Sequence, residues 1–381
     1  MQPVKSFQVN VAQGILEDLK TRLAKTRWPD EPENAGWSYG TNPGYLRELV
    51  TYWQESFDWR KQETLLNSLP QYKVEIDGVE IHFIHVKGKG EHAQPLLLTH
   101  EWPDSIYRFY KVADLLTETT KAGGMTFDLV IPSMPGHGFS GRVTKTSIET
   151  AGLWGKLMTD ILGYTTFYAG GDFAVCAGLS ALFPDRIKGV LLTDAGYPNG
   201  TENWAEYSAE EQSFGQQIQR WFFAEGAFNM IQSTKPQTLG YALNDSPAGL
   251  AAWIVEKFYS WSDTHGDMEN SFSKDELLTN IMIYWVTATI NTSIRRYAAD
   301  TRAMYAQGYP APFKPIEAPT AVAIFPADSN SPREWAARRT NLQYFNNMPR
   351  GGRFAALEVP ELYVEFIQEA VTALSKQAVR A

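Results

Sequence analysis

Short apolar runs, each closed by turn residues, recur along the chain with helix-length stretches between them, and this alternation restricts the fold more than any other feature. The runs are PLLLTH (95–100), FDLVIPS (127–133), TFYAGGD (166–172), KGVLLTD (188–194) and APTAVAIFPAD (318–328). Runs of this kind read as strands covered on both faces, the habit of parallel sheets. Strands alternating with helical stretches, one of them near 148–162, imply right-handed crossovers in a mostly parallel central sheet of an α/β protein. The rhythm breaks after Asp194. From about 200 to 310, Trp, Tyr and Phe fall in helical contexts with no clear strand, so this stretch reads as a helical insertion. An insertion between two strands would lie as a lid over their carboxyl ends, where α/β proteins place their sites.

The chain begins differently. Ile15, Leu16, Leu19 and Leu23 recur at helical spacing until Trp28-Pro29 stops them, and a second helix from about Tyr45 to Phe57 carries Leu46, Leu49, Val50 and Trp53 on one face. YKVEIDGVEIHFIHV then alternates around Asp77-Gly78, a hairpin signal. The expected organisation is an N-terminal helical segment wrapping the core (1–70), a first core part (71–199), a helical lid (200–310) and a second core part (311–381). A chain of 381 residues, 44% of them hydrophobic, has enough apolar material for a large core. Its 34 basic and 43 acidic residues give a charge of -9 without a basic run, which argues against nucleic acid as a partner. The single cysteine, Cys176, has no partner for an internal disulfide, and no Cys/His cluster suggests a metal. Together with an N-terminus lacking a membrane-length apolar stretch, this predicts a cytoplasmic protein with no membrane partner, no metal and no cofactor. The oligomeric state is left open, with a homodimer allowed.

The chemistry concentrates at strand ends. Gly170-Gly171-Asp172-Phe173-Ala174 follows one strand and opens a helix, and small residues on either side of position 172 permit a sharp turn that exposes the carboxylate. Such an aspartate attacks an electrophilic carbon or serves as a general base; the plainer reading is a helix cap. His100-Glu101-Trp102-Pro103-Asp104-Ser105 ends an earlier strand, where backbone N–H groups of an oxyanion hole are usually supplied. Asp328 ends the strand AVAIF, where an acid would orient a base or merely cap a helix. In the insertion, Trp221, Phe222, Phe223 and Phe228 read first as lid core and second as the wall of an apolar pocket.

These features resemble the epoxide hydrolases of the α/β-hydrolase superfamily, in the microsomal and juvenile-hormone group with an N-terminal helical segment. The likeness runs through RLAKTRWPDE, WSYGTNPGYLRELVTYWQESFDWRKQETLLNSLPQYKVEIDGVEIHFIHV, IPSMPGHGFSG, IQSTKPQTLGYALNDSPAGLAAWIVEKF and GGRFAALEVPEL. It implies an α/β-hydrolase fold with a mostly parallel central sheet, a helical lid insertion and an N-terminal helical segment. It also implies that Asp172 matches the family nucleophile, Asp328 the acid, and Tyr297 in SIRRYAAD one of two lid tyrosines that hydrogen-bond the epoxide oxygen.

Four positions depart from the family pattern. The second lid tyrosine is replaced by Phe228. HGWPGS has become HEWPDS, putting Glu101 and Asp104 in place of glycines, and the histidine of GGHFAA has become Arg353 in GGRFAA. Arginine stays protonated and cannot serve as a general base near neutral pH. Beside Asp172 or Asp328 it would form an ion pair, structural or ligand-binding. Glu101 either approaches Asp172, which would raise the pKa of at least one of them, or points to solvent. The sequence therefore suggests an enzyme converted to non-hydrolytic acid/base chemistry (cyclisation, isomerisation or elimination) on a small apolar oxygenated metabolite, with natural-product biosynthesis as the setting. Two other readings are hydrolysis with a modified route of water activation and a catalytically silent ligand-binding protein. Asp172, Glu101, Tyr297, Asp328 and Arg353 are the catalytic candidates, and Trp102, Phe173, Phe228 and His100 the substrate-binding ones.

Overall fold

A computed structural model describes residues 3–90, 92–118, 125–308 and 313–378. Nine strands form one sheet: β1 (Lys5–Phe7), β2 (Gln71–Ile76), β3 (Val79–Val86), β4 (Gln94–Thr99), β5 (Phe127–Pro132), β6 (Phe167–Gly171), β7 (Ile187–Leu192), β8 (Ile316–Ile324) and β9 (Thr340–Asn347), in the order β1-β2-β3-β5-β4-β6-β7-β8-β9. The first three pairings are antiparallel and the five from β5–β4 to β8–β9 are parallel. At the β2–β3 hairpin both Asp77 and Gly78 take positive φ, 51° and 76°, which the right-handed twist of the strands favours in a two-residue turn.

The helices are α1 (Gln13–Ala24), α2 (Pro43–Glu55) and α3 (Trp59–Leu66) at the N-terminus, then α4 (Tyr110–Thr117), α5 (Ser147–Lys156) and α6 (Phe173–Leu182) between strands. Between β7 and β8 lie α7 (Ala209–Glu225), α8 (Ala227–Thr234), α9 (Pro236–Asp245), α10 (Pro247–Ser260), α11 (Lys274–Thr287) and α12 (Ile290–Ala306). The chain closes with α13 (Arg333–Arg339), α14 (Ala355–Glu358) and α15 (Pro360–Ala378). The expected boundary between residues 310 and 311 lies outside the described residues.

Alternation along the strands builds the two sides of the core. Leu97, Ala169, Val190, Leu192, Val322 and Ile324 pack with Trp154 of α5, Leu179 of α6 and Trp335 of α13. Their neighbours Leu96, Leu98, Tyr168, Leu191, Ala321 and Ala323 pack with Leu116 of α4 and Phe366 and Ile367 of α15. A third cluster has no sheet residue at its centre: Leu19, Leu23, Leu49, Val50 and Trp53 of α1 and α2 bury against Leu250, Ile254, Phe258, Leu277 and Ile281 of α10 and α11. The N-terminal segment thus braces the lid. No helix among the described residues is long and apolar enough to cross a membrane.

Chain direction across the sheet reverses between β4 and β6, the switch point at which the loops leaving adjacent strands part and open a crevice. Glu101 leaves β4 and Asp172 leaves β6 on its two sides. Close approach there requires glycine: Gly171 has φ +108°, and a Cβ on it would sit 1.9 Å from the Thr99 carbonyl oxygen.

Candidate active site

Above the crevice the lid encloses a cavity of about 1240 Å³ lined by Glu101, Trp102, Asp172, Phe173, Phe228, Tyr297, Asp328 and Arg353, among others. Eight of the nine residues singled out from the sequence therefore meet in one place. The exception is His100. It is 0% exposed beneath its loop, Nδ1 lies 3.2 Å from the Glu101 carbonyl oxygen, and Nε2 accepts the Met134 N–H at 3.1 Å. It is a satisfied core histidine that anchors the loop, and no histidine is among the residues lining the cavity.

Asp172 is held at both oxygens. Oδ1 accepts the Val175 N–H at 2.9 Å and caps α6, while Oδ2 takes the Arg296 guanidinium at 2.7 Å. Capping and a site role coexist, so the two readings of the turn are not exclusive. Its φ of -50° is unstrained; the positive φ of the turn falls on Gly171. Arg296, on α12 directly before Tyr297, also lies 3.4 Å from Ser147 Oγ, and that residue's N–H and Oγ both donate to Asp300 at 2.7 Å. Burial works against the Arg296 charge, but Asp172 and Asp300 more than offset it and raise its pKa.

Arg353 turns into the cavity. Its Nη2 lies 2.6 Å from Glu101 Oε2, and Nη1 lies 3.4 Å from Asp328 Oδ1 and 3.3 Å from the Tyr197 hydroxyl. The ion pair expected with Asp172 or Asp328 thus goes chiefly to Glu101, because Arg296 already occupies Asp172. Burial opposes the Arg353 charge, yet Glu101, Tyr197, Asp328 and Asp194 keep it well above its ordinary pKa. Glu101 faces the cavity, not solvent. Burial raises its pKa against the pull of Arg353, and the Asp172 charge raises it further. Asp328 is likewise raised by burial against Arg353, and its Oδ2 is buried without a hydrogen-bond partner among the described residues.

The loop after β4 is tied down in a way that alters its expected role. The Glu101 N–H, a candidate oxyanion donor, donates to Asp104 Oδ1 at 2.9 Å, while Asp104 Oδ2 pairs with Arg108 at 2.7 Å. Asp104 thus consumes an N–H that the cavity would otherwise use. From the lid, Asn280 donates to the Pro103 carbonyl oxygen at 2.9 Å and Tyr284 to that of Asp104 at 2.5 Å, so α11 locks this loop.

Trp102 stacks on Phe228 at 5.6 Å and meets Tyr297 and Trp261 edge-on at 6.1 and 6.3 Å, forming an aromatic wall. The Tyr297 hydroxyl has no hydrogen-bond partner among the described residues, and burial raises its pKa, so it remains a neutral donor. The aromatic run of α7 and α8 divides: Trp221 and Phe228 line the cavity, whereas Phe223 is 94% exposed, so the run is not uniformly lid core.

Sequence reasoning missed Arg296, Tyr197, Arg339 and Asp194, all of which line the cavity. Asp194 follows β7 as Asp328 follows β8, a shared position that could have flagged it. Its Oδ1 accepts the Gly196 N–H at 2.7 Å, and burial pushes its pKa up to about 7, against the pull of Arg353 and with help from Asp328 and Glu101. Among the described residues no group of three or more His, Cys, Asp or Glu side chains is arranged to hold a metal.

Residues 4–109 match the family model described as the epoxide hydrolase N terminus. The chain is 36% identical to epoxide hydrolase 1 of Sus scrofa, over 99% of this chain and 90% of that protein. Among solved structures, juvenile hormone epoxide hydrolase of the silkworm Bombyx mori superposes with a TM-score of 0.85 at 29% identity, covering 99% of this chain and 95% of that one. The Aspergillus niger epoxide hydrolase gives 0.82 at 29% identity, covering 98% and 96%.

Proposed function

Because this chain belongs to the epoxide hydrolase family of the α/β-hydrolase fold, we propose that it is an enzyme of that type whose site now moves protons on a small apolar oxygenated substrate without adding water. The observation that carries this reading is Arg353, a cation 2.6 Å from Glu101 and 3.4 Å from Asp328 in a cavity with no histidine among its lining residues. A permanently charged guanidinium cannot take a proton from water.

The residues divide into roles. Tyr297 donates a hydrogen bond to the substrate oxygen, Glu101 supplies a proton and Asp172 accepts one. For an epoxide bearing an internal hydroxyl, that hydroxyl oxygen would bond to an epoxide carbon as the carbon–oxygen bond of the ring breaks. Asp172 would take the hydroxyl proton and Glu101 would protonate the released alkoxide. The product is a cyclic ether isomeric with the substrate, a reaction type at home in natural-product biosynthesis.

A hydrolytic route has one feature in its favour: Asp194, titrating near 7, and the unpartnered Asp328 Oδ2 could together receive a proton from water. Turnover of a hydroxy-epoxide in heavy-oxygen water separates the two. An unlabelled cyclic ether is expected; a diol carrying the label would replace this proposal with the hydrolytic one.

A further inference from the structure

Arg339, the last residue of α13, is a charged group short of partners. It is 7% exposed, yet it makes a single hydrogen bond among the described residues, from Nη2 to the Tyr197 carbonyl oxygen at 3.0 Å. A guanidinium carries five N–H donors, and here Nε is buried with none of its own. The nearest carboxylate, Glu202, lies 3.9 Å from Nη1 and is already committed, with its two oxygens accepting the Asn199 and Gly200 N–H groups at 2.9 Å each. Asp194 is the other acid that the guanidinium senses.

Buried cations are normally paired or fully hydrogen-bonded, and this one, with its nearest carboxylate at 3.9 Å, keeps donor capacity for a further anion. Its position is suited to a ligand. Arg339 lines the same cavity as the nucleophile turn, and a Cβ on Gly196 would touch both Arg339 Nη2, at 3.2 Å, and the Phe173 ring, at 3.1 Å. The plane of the guanidinium is fixed by stacking, with its carbon 3.4 Å from the centre of the Phe313 ring. A stacked, oriented guanidinium suits a planar carboxylate, and Glu202 close by disfavours a dianion.

We propose that Arg339 anchors a carboxylate of the substrate, so that the enzyme acts on a carboxylic acid whose reacting oxygen lies towards Asp172 and Tyr297. This rests on the reading of the cavity as the substrate site. Burial lowers the pKa of Arg339 to about 10, still well above neutral pH, so the cation is present to bind.

Octanoate and octanamide, equal in length and differing in charge, test it without turnover, read by the fluorescence of the cavity tryptophans Trp102, Trp221 and Trp261 at pH 7.5. Octanoate is expected to bind about tenfold or more tighter, the scale of a charge-assisted bidentate contact. Arg339→Met should abolish that preference and Arg339→Lys should keep part of it. Equal binding of the two probes by the wild type overturns the carboxylate anchor alone. A preference surviving in both variants, with their fluorescence and melting unchanged, overturns the assignment to Arg339. Failure of both probes to bind overturns the cavity reading as well.

Discussion

At Asp172 the proposal sets a nucleophile against an ion pair, the latter made by Arg296 at 2.7 Å. Arg296→Gln would free Oδ2 while leaving the cap on α6 intact. With styrene oxide as the probe, the variant should accumulate a covalent ester on Asp172, one adduct per chain by mass spectrometry, because no histidine stands ready to hydrolyse it. The wild type should stay unmodified, and an unmodified variant would mean that Arg296 is not what restrains the carboxylate. Asp194 offers a second residue-scale test. In the folded chain it titrates near 7, whereas an unfolded aspartate releases its proton near ~3.9. Between those values the folded state holds the extra proton, so this carboxyl makes stability fall as pH rises. Asp194→Asn removes that dependence. The stability of the variant relative to wild type should climb from pH 4 to 7 by up to about 1.4 kcal/mol per pH unit, measured by urea unfolding. A difference that does not change with pH would show that Asp194 is not protonated in the folded chain.

Among the elements, α1 and α2 are joined to the lid more than to the sheet. Trp53 is 2% exposed in the cluster it shares with α10 and α11. Trp53→Ala should cost about 3 kcal/mol and, in hydrogen exchange, expose α10 and α11 well before β4 and β6. Loss of protection spread evenly over both would refute the brace. The helices α1 and α2 were legible in the sequence because each carries a helical period, and the strands β4 to β8 because each is a short apolar run closed by turn residues. Others were not. β1 has three residues, and β9 reads TNLQYFNN, an edge strand too polar to show an apolar run and paired with β8 on one side. Short and edge strands draw their order from neighbours far along the chain, which no local window contains.

Across the whole molecule, the loop, turn and strand-end positions of the site could be read because topology puts carboxyl ends of parallel strands together. The partners of those residues could not. Asp172 and Arg296 are 124 residues apart and meet only once α12 of the lid lies over the sheet, while Glu101 and Arg353 are 252 apart and meet only once the two parts of the core have come together. His100 was misjudged for the converse reason: it is adjacent to Glu101 in the chain, but the strand buries it while the loop turns its neighbour into the cavity. The hydrogen bond from Val175 to Asp172 has a consequence of its own. An aspartate at the head of a helix stabilises a fold by about 1 kcal/mol whether or not it attacks anything. A chain with this fold and no covalent chemistry would still keep the aspartate for the sake of the helix. An aspartate at this turn is therefore weak evidence for covalent chemistry by itself, because the cap alone is reason for the position to hold one.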